Sequence, residues 1–326
     1  MIRTLKPVKG LMLAMVLALL LLWIGPISIV SAGVPVAVTV KVDGEAVKLN
    51  ASAIVADDRT YVPVASIAEQ FGAKLNWDNE NEKLWIHTAL DDLILISNGA
   101  PVVYFNNERY MMEAPPRLVE GRLYAPLREL ADMLHARLTA SDDVIELSTV
   151  QRAELTDENG LDAISEQNGI SKAELLKRNG LSQASKLAAG AKLSVVVPAF
   201  MSKAAKPFTD ADLMLLAKIT MVEAGYESYQ GQLALANVIL NRVKSGKFPD
   251  TIRSVIYSGR QFPPAHNGML DKSKPHATAL RAAKDALNGK NNIGKAVYFY
   301  NPAVTKGSFW SSLDVVATIG NHRFAY

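Results

Sequence analysis

A chain of 326 residues, with 49% hydrophobic and 21% charged residues, is long enough for two or three folded domains. It contains no cysteine, which excludes disulfides, a thiol nucleophile and thiolate metal sites. Residues 33–206 carry 18 Lys and Arg against 24 Asp and Glu, whereas residues 207–326 carry 14 against 8. The basic C-terminal part indicates a polyanionic partner such as a cell wall, although a solvated basic surface explains the same charge.

Residues 1–32 have the organisation of a secretory signal peptide. Basic residues precede an apolar run at residues 11–24, and the small residues Ser31 and Ala32 end the segment. The run is shorter than the roughly 20 residues that span a membrane. We therefore predict a secreted protein with no stable membrane insertion after cleavage, with an uncleaved anchor as the alternative. Export also argues against a nucleic acid partner.

An internal repeat organises residues 36–149. The segment that begins RTYVPVASIAEQFGA at Arg59 returns as RLYAPLRELADMLHA at Arg122. Each copy predicts a strand, a proline at the turn (Pro63 and Pro126), an amphipathic helix and further short strands. Two half-domains that cover each other's apolar faces predict one duplicated α+β domain.

The paired R-x-Y-x-P segments resemble the stalk-type N-terminal domain of copper amine oxidases, which occurs in exported proteins of spore-forming bacteria. The resemblance implies a spacer or appendage. It does not imply copper, because only His87 and His135 are present here and two isolated imidazoles without cysteine do not build a typical copper site. We predict no metal and no cofactor, and both histidines are expected at ordinary strand or helix positions.

Residues 152–198 predict a small βααβ unit with Gly169 and Gly180 just past its two helices, where a left-handed residue is favoured. The pattern resembles a LysM module, and the matching residues are Leu155, Leu161, Ile164, Glu174, Leu175, Asn179, Gly190, Lys192 and Leu193. The turn before the first helix departs from that family, since Glu158, Asn159 and Gly160 stand where it has Gly-Asp-Thr. The resemblance implies binding of N-acetylglucosamine chains through Asn159, Gly160 and Asn179, and a structural spacer is the alternative. The next segment, residues 199–207, is small, polar and ends in proline, which predicts a linker.

From residue 208 the apolar residues recur at helical spacing and predict a mainly α domain. Thr209 with Asp212 approximates a capping box for a helix that runs to Gly225. A second helix is predicted from near Ser228 to Gly246. A third covers about residues 275–289, and an aromatic, turn-rich tail with short strands follows.

Glu223 is the acid that attracts a chemical interpretation. It lies in the last helical turn, where unpaired carbonyl groups and apolar neighbours both disfavour a charged carboxylate. A carboxyl group that stays protonated near neutral pH suits general acid catalysis. Glu227, at the start of the next helix, is expected to stay ionised there. On spacing alone, an ordinary surface helix end explains both residues better than catalysis does.

Residues 208–326 resemble the SleB-type cell wall hydrolases, the catalytic domain of spore cortex-lytic enzymes. The matching positions include Glu223, Ala224, Glu227, Tyr229, Gly231, Gln232, residues 238–243, Gln261, Phe262, Tyr298, Phe299, Trp310 and residues 319–324. Gly225, Tyr226 and Ser228 depart from the family, which has Arg, Gly and Pro at these positions.

The resemblance implies a lysozyme-like fold that cleaves peptidoglycan between N-acetylmuramic acid and N-acetylglucosamine, as a lytic transglycosylase in spore cortex or cell wall. It implies Glu223 as the catalytic residue, and a regulatory protein partner stays open. For substrate binding we predict Glu227, Gln232, Asn241, Gln261, Phe262, Tyr298, Trp310 and Asn321. For Gln232 and Asn241 the alternative is hydrogen bonding to buried backbone, and for Phe262 and Trp310 it is a place in the core.

Two other functions are compatible with the sequence. A zinc amidase would need ligands from His266, His276, His322 and Glu223, which lack the i, i+4 or H-x-H spacing of a local metal face. A non-catalytic wall-binding protein would bind glycan without cleaving it.

Overall fold

The computed structural model describes residues 33–141, 143–259 and 261–326. The predicted signal peptide lies outside these residues. Within the described ranges, no helix combines the length and the apolar character needed to cross a membrane.

The first domain, residues 33–149, is built from three sheets. Its strands are β1 (Val34–Val36), β2 (Thr39–Val42), β3 (Glu45–Ala46), β4 (Ala53–Ala56), β5 (Arg59–Pro63), β6 (Lys74–Asp78), β7 (Lys83–His87), β8 (Leu93–Ser97), β9 (Ala100–Phe105), β10 (Glu108–Met111), β11 (Arg117–Val119), β12 (Arg122–Pro126), β13 (Ala136–Ser141) and β14 (Val144–Thr149). The sheet orders are β1-β4-β5-β12-β11, β10-β9-β8-β7-β6 and β13-β14-β2-β3, in which β14 and β2 are parallel.

The two copies of the repeat meet in the first of these sheets. Each copy continues from its strand into a short helix, α1 (Val64–Ala68) after β5 and α2 (Leu127–Met133) after β12. Strands β5 and β12 pair antiparallel, with Val62 opposite Ala125. The prolines end the strands at the helix N-caps, where a missing N–H breaks no helical hydrogen bond. Both helices bury their apolar faces in one core.

A small module follows in β-α-α-β order. It consists of β15 (Ala153–Glu154), α3 (Leu161–Asn168), α4 (Lys172–Arg178) and β16 (Lys192–Leu193). Ser171 and Glu174 form a complete capping box at the start of α4. Gly169 and Gly180 have φ of +65° and +66°, as their positions after the helices predict.

The module is fixed to the first domain by two buried polar contacts. The Arg178 guanidinium donates to both carboxylate oxygens of Asp92, at 2.9 and 2.6 Å. His135 Nδ1 lies 2.9 Å from the Val150 carbonyl oxygen, and its Nε2 accepts from the Val195 N–H at 2.8 Å. Burial lowers the pKa of His135 to about 4, so the imidazole is neutral. His135 is therefore a bridge between the two units and not an ordinary helix or strand position.

The segment predicted as a linker is packed and not free. Residues 199–202 form a 3-10 helix, and Phe200 is buried between Phe105 and Tyr110 at ring distances of 5.8 and 5.9 Å. The following residues then pair with β10, since Met111 N–H donates to the Lys203 carbonyl. Residues 199–207 connect the module to the C-terminal domain, and the aromatic residue in this segment packs in the core of the first domain.

The C-terminal domain, residues 208–326, contains helices and one small sheet. Its helices are α5 (Asp210–Ala224), α6 (Tyr229–Lys244), α7 (Ile252–Tyr257), α8 (Met269–Lys272), α9 (Ala277–Leu287) and α10 (Ser308–Ser311). Strands β17 (Tyr298–Tyr300), β18 (Val315–Ile319) and β19 (His322–Ala325) form a sheet in the order β17-β19-β18. The predicted capping box is confirmed, because the Thr209 side chain accepts from Asp212 N–H and the Asp212 carboxylate accepts from Thr209 N–H.

Helices α5, α6, α7 and α9 share one apolar core in the C-terminal domain. A second, smaller cluster joins α6 to the three-stranded sheet through Ala234, Val238 and Phe324. Helix α6 is buried along most of its length. Glu227, which precedes it, contacts Asn321 and His322 at the start of β19.

Candidate active site

Glu223 lies in the last turn of α5 and is half-buried. Burial raises the pKa of its carboxyl group, as the apolar neighbours in the sequence predict. Among the described residues, no side chain or backbone group forms a hydrogen bond or ion pair with this carboxyl. A carboxyl group without such a partner, in partly apolar surroundings, can hold a proton and release it to a bound ligand.

Glu227 has a different environment from the one predicted. Ser228 is the N-cap of α6, so Glu227 precedes the helix instead of lying in its first turn. Its carboxylate contacts the C-terminal segment of the domain, where Oε1 accepts from the Asn321 backbone N–H at 3.1 Å. His322 Nδ1 lies 3.1 Å from the same oxygen, and the Glu227 side chain is only 10% exposed. Contacts with His322 of β19 and with the turn before it therefore fix the position of this carboxylate.

Because Gly231 and Gly320 have no side chains, there is room for the side chain of Glu227 between them. A side-chain carbon on Gly320 would overlap Glu227 Oε2, and one on Gly231 would come within 2.8 Å of Glu227 Cβ. Gly320 also has φ of +57°, a conformation that glycine adopts most readily. The carboxylate is thus confined on both sides by backbone.

The loop between α5 and α6 has a constrained backbone at Gly225, whereas the side chain of Tyr226 is exposed to solvent. A side-chain carbon on Gly225 would overlap the Met221 carbonyl oxygen, so an arginine does not fit at this position of this backbone. His276 accepts from a backbone N–H through Nδ1, and its Nε2 lies 3.4 Å from the Gly225 carbonyl oxygen. Tyr226 is 109% exposed, which makes its ring fully accessible to a ligand.

Gln232 and Asn241 are buried in α6, and their side-chain amides donate hydrogen bonds to backbone carbonyl oxygens. Gln232 Nε2 donates to the Glu227 carbonyl oxygen at 2.9 Å. Asn241 Nδ2 donates to the carbonyl oxygens of Gly294 and Ala296 at 2.9 and 2.8 Å. These contacts favour the alternative, in which amide side chains satisfy buried carbonyl groups, and a role in binding substrate stays a prediction.

Phe262 is a core residue and not part of a cleft wall. It is fully buried, and its ring stacks on Phe299 at 6.3 Å and lies 5.4 Å from the Arg242 guanidinium. Gln261 beside it is exposed and remains a predicted binding residue.

Tyr298 and Trp310 belong to an aromatic cluster on one face of β17. Tyr298 contacts Phe309 at 5.6 Å, and Trp310 contacts Tyr300 at 5.1 Å. Successive side chains of a strand point to opposite faces, and Phe299, between these tyrosines, contacts His322 at 5.8 Å. The cluster therefore lies on the other side of the sheet from His322 and Glu227. Asn321 contacts Glu227 through its backbone N–H, and its exposed side chain stays a predicted binding residue.

The residues predicted to bind glycan in the module are engaged in local hydrogen bonds. Asn179 Nδ2 donates to the carbonyl oxygens of Leu175 and Ser194, and its Oδ1 accepts from Ser194 N–H. Asn159 Nδ2 donates to the Glu154 carbonyl oxygen. Gly160 is the N-cap of α3. The side chain of Asn179 thus ties α4 to the closing strand and is occupied within the module.

The histidines named for a zinc site do not converge. The described part of the chain contains no group of three or more His, Asp or Glu residues placed to hold a metal ion. His322 contacts Glu227, and His276 caps α9. His266 packs edge-on against Tyr257 at a ring distance of 6.3 Å.

Two features of the site were not anticipated from the sequence. The first is the confinement of Glu227 by Gly231 and Gly320. The second is a hydrogen bond from the Tyr229 hydroxyl to the Asp285 carboxylate at 2.7 Å. A glycine next to Asn321 and His322 is a signal for close backbone approach, but the partner is not visible in the sequence.

Comparison with known proteins identifies two regions. Residues 226–325 match the Cell Wall Hydrolase family. Residues 41–148 match the copper amine oxidase N-terminal domain family. The candidate acid Glu223, with its raised pKa, lies directly before the matched part of the C-terminal domain.

Individual relatives match over the same region. A spore cortex-lytic enzyme of Halalkalibacterium halodurans is 41% identical over 118 residues, which is 36% of this chain and 35% of the relative. One of Oceanobacillus iheyensis is 38% identical over 118 residues, or 36% of this chain and 42% of the relative. The chain thus spans less than half the length of these curated relatives. The solved catalytic domain of the germination-specific lytic transglycosylase SleB from Bacillus anthracis is 34% identical, with 37% of this chain and 98% of that chain covered and a TM-score of 0.35.

Proposed function

We propose that this protein cleaves the glycan strands of peptidoglycan between N-acetylmuramic acid and N-acetylglucosamine, as a lytic transglycosylase. The observation that carries the proposal is the half-buried Glu223, whose burial raises its pKa, next to a region that matches the Cell Wall Hydrolase family. The spore cortex-lytic enzymes among its relatives favour the cortex or cell wall of a spore-forming bacterium as the place of action. The predicted signal peptide supports secretion.

In the proposed reaction, protonated Glu223 donates its proton to the oxygen that links C1 of the muramic acid to the next sugar. The C1–O bond breaks, the N-acetylglucosamine leaves with a free 4-hydroxyl, and an oxocarbenium-like centre develops at C1. The Glu223 carboxylate then removes the proton of the C6 hydroxyl of the same sugar, whose oxygen bonds to C1. The product is a 1,6-anhydro end, and Glu223 is protonated again. The internal hydroxyl benefits from a high effective concentration.

Glu227 is assigned electrostatic support and not nucleophilic attack. Its carboxylate is confined by two glycines and held by Asn321 and His322, so it has little freedom to form a bond with a sugar. A fixed negative charge near a developing oxocarbenium centre stabilises that centre.

Mass spectrometry of peptidoglycan digested by the purified protein tests this function. We expect muropeptides lighter by one water, the anhydro form, and no such products with Glu223→Gln. Reducing ends in place of anhydro ends would indicate hydrolysis. Free stem peptides would indicate an amidase, and binding without any soluble product would indicate a wall-binding protein.

A further inference from the structure

A cluster of charged side chains joins the first domain to the C-terminal domain. Glu82 and Lys83 come from the turn between β6 and β7 and the start of β7, whereas Arg281 and Asp285 come from α9 and Lys290 from the loop after it. The Asp285 side chain is 3% exposed, and those of Lys83 and Lys290 are 13% and 12% exposed. Charges removed from water to this extent require compensating partners.

The cluster surrounds Tyr229. The Tyr229 hydroxyl donates to Asp285 Oδ2 at 2.7 Å. The Arg281 guanidinium lies 4.1 Å from the centre of the tyrosine ring, and Lys290 Nζ lies 5.4 Å from it. The hydrogen bond and the two cation–π contacts together fix the position and the plane of this ring.

The first domain supplies the charges that balance the cluster. Lys83 Nζ lies 3.6 Å from Asp285 Oδ1, and Glu82 Oε2 lies 3.7 Å from Arg281 and 3.1 Å from Lys290. Without Lys83, the second oxygen of the buried Asp285 carboxylate would lose its cation, and without Glu82 the two cations of the C-terminal domain would lose a shared anion. The longer contacts exceed hydrogen-bond length, so charge attraction in a partly dry environment dominates them.

A second contact between the two domains does not involve Tyr229. Arg109 on β10 donates to the Leu287 carbonyl oxygen and to Asn288 Oδ1, both at 3.1 Å. Tyr104 donates to Asn288 Oδ1 at 3.0 Å. These bonds hold the end of α9 against the first domain and provide a matched control for docking alone.

Tyr229 is the first residue of α6, and Glu227 lies two residues before it. Because Gly231 and Gly320 leave no spare room around the Glu227 carboxylate, a shift at the start of α6 displaces that carboxylate. We propose that Glu82 and Lys83 of the first domain are positioning residues for the active site, acting through Asp285, Arg281 and Tyr229. This inference rests on the proposed function for its effect on catalysis. It makes the first domain a structural part of the enzyme and not a passive spacer.

The test compares Lys83→Met and Glu82→Gln with Arg109→Met in the full chain. For the first two we expect kcat on soluble glycan strands to fall about tenfold with KM unchanged. Amide hydrogen exchange in residues 228–232 should become faster, and Lys83→Arg should restore both values. Arg109→Met should lower the unfolding temperature without changing kcat or the exchange in residues 228–232.

An equal loss of kcat in Lys83→Met and Arg109→Met, or unchanged exchange in residues 228–232, would overturn the inference. The exchange measurement does not depend on turnover. If the protein cleaves no glycan, or if Glu223→Gln remains active, the proposed function fails, and exchange alone then decides whether the first domain positions α6.

Discussion

Gly320 lies directly against the carboxylate of Glu227, so that any side-chain carbon at position 320 would overlap Glu227 Oε2. The neighbouring N–H of Asn321 and the ring of His322 bind the other carboxylate oxygen. One turn of backbone thus determines where the Glu227 carboxyl group sits in the candidate active site.

Replacing Gly320 by alanine should displace Glu227 and reduce kcat by about a hundredfold, because small misplacements of catalytic groups carry large rate penalties. Gly246 is the matched control, since it has φ of +67° and a side-chain carbon there would meet no atom within 4 Å. Both variants should lose about 1 kcal/mol of stability from backbone strain, and only Gly320→Ala should lose activity. Equal activities of the two variants, measured by release of muropeptides, would contradict this role.

The raised pKa of Glu223 predicts how activity and stability depend on pH. As a general acid it must be protonated, so the activity should fall as the pH rises through its raised pKa. The folded state also holds this proton more tightly than the unfolded state. The free energy of unfolding should therefore decrease as the pH rises from the ordinary carboxyl pKa to the raised one.

Glu223→Gln provides the comparison for this pH dependence. Its free energy of unfolding should lack that decrease, which denaturant titrations at a series of pH values would measure. Identical pH slopes in the wild type and the variant would show that Glu223 does not carry the shifted titration.

The lowered pKa of His135 predicts the opposite dependence of stability on pH. Burial lowers its pKa from 6.5 to about 4, so between these values the unfolded state binds more protons than the folded state. Stability should be fully present above pH 6.5 and should be lost as the pH falls toward 4, because the imidazolium no longer accepts the N–H of Val195. His135→Asn tolerates the local φ of +58° and should remove this acid-dependent loss. An unchanged acid limb in the unfolding free energy of the variant would contradict the assignment.

The Arg178–Asp92 pair should couple the module to the first domain. Its side chains are 2% and 6% exposed, so removing one partner leaves an uncompensated buried charge and should cost about 3–5 kcal/mol. The double variant Arg178→Met with Asp92→Asn should be more stable than either single variant. Thermal unfolding of all four proteins completes the cycle, and additive losses would show that the two residues do not interact.

Local patterns predicted the three long helices of the C-terminal domain, whereas the short helices α7, α8 and α10 were not predicted. The start of α5 and the end of α9 follow from Thr209, Asp212 and Gly289, because caps and left-handed glycines act within one or two turns of the chain. The unfavourable environment of Glu223 is local in the same sense, since its helix position and apolar neighbours are adjacent in sequence. The resemblance of residues 208–326 to a hydrolase family likewise rested on short motifs.

The packing and hydrogen-bond partners of several predicted site residues could not be read from the sequence. Phe262, Gln232 and Asn241 have the residue types of a binding cleft, yet their neighbours come from distant segments and place them in the core or on buried carbonyl groups. Phe200 likewise turned a predicted linker into a packed segment.

The sequence by itself therefore determined which acid is a candidate proton donor and where the longer helices lie, because these depend on neighbours along the chain. Only the tertiary structure decided which residues contact the Glu227 carboxylate and brought Lys83 close to Asp285. Such contacts join residues that are far apart in sequence, and they depend on how the helices, sheets and domains pack in space.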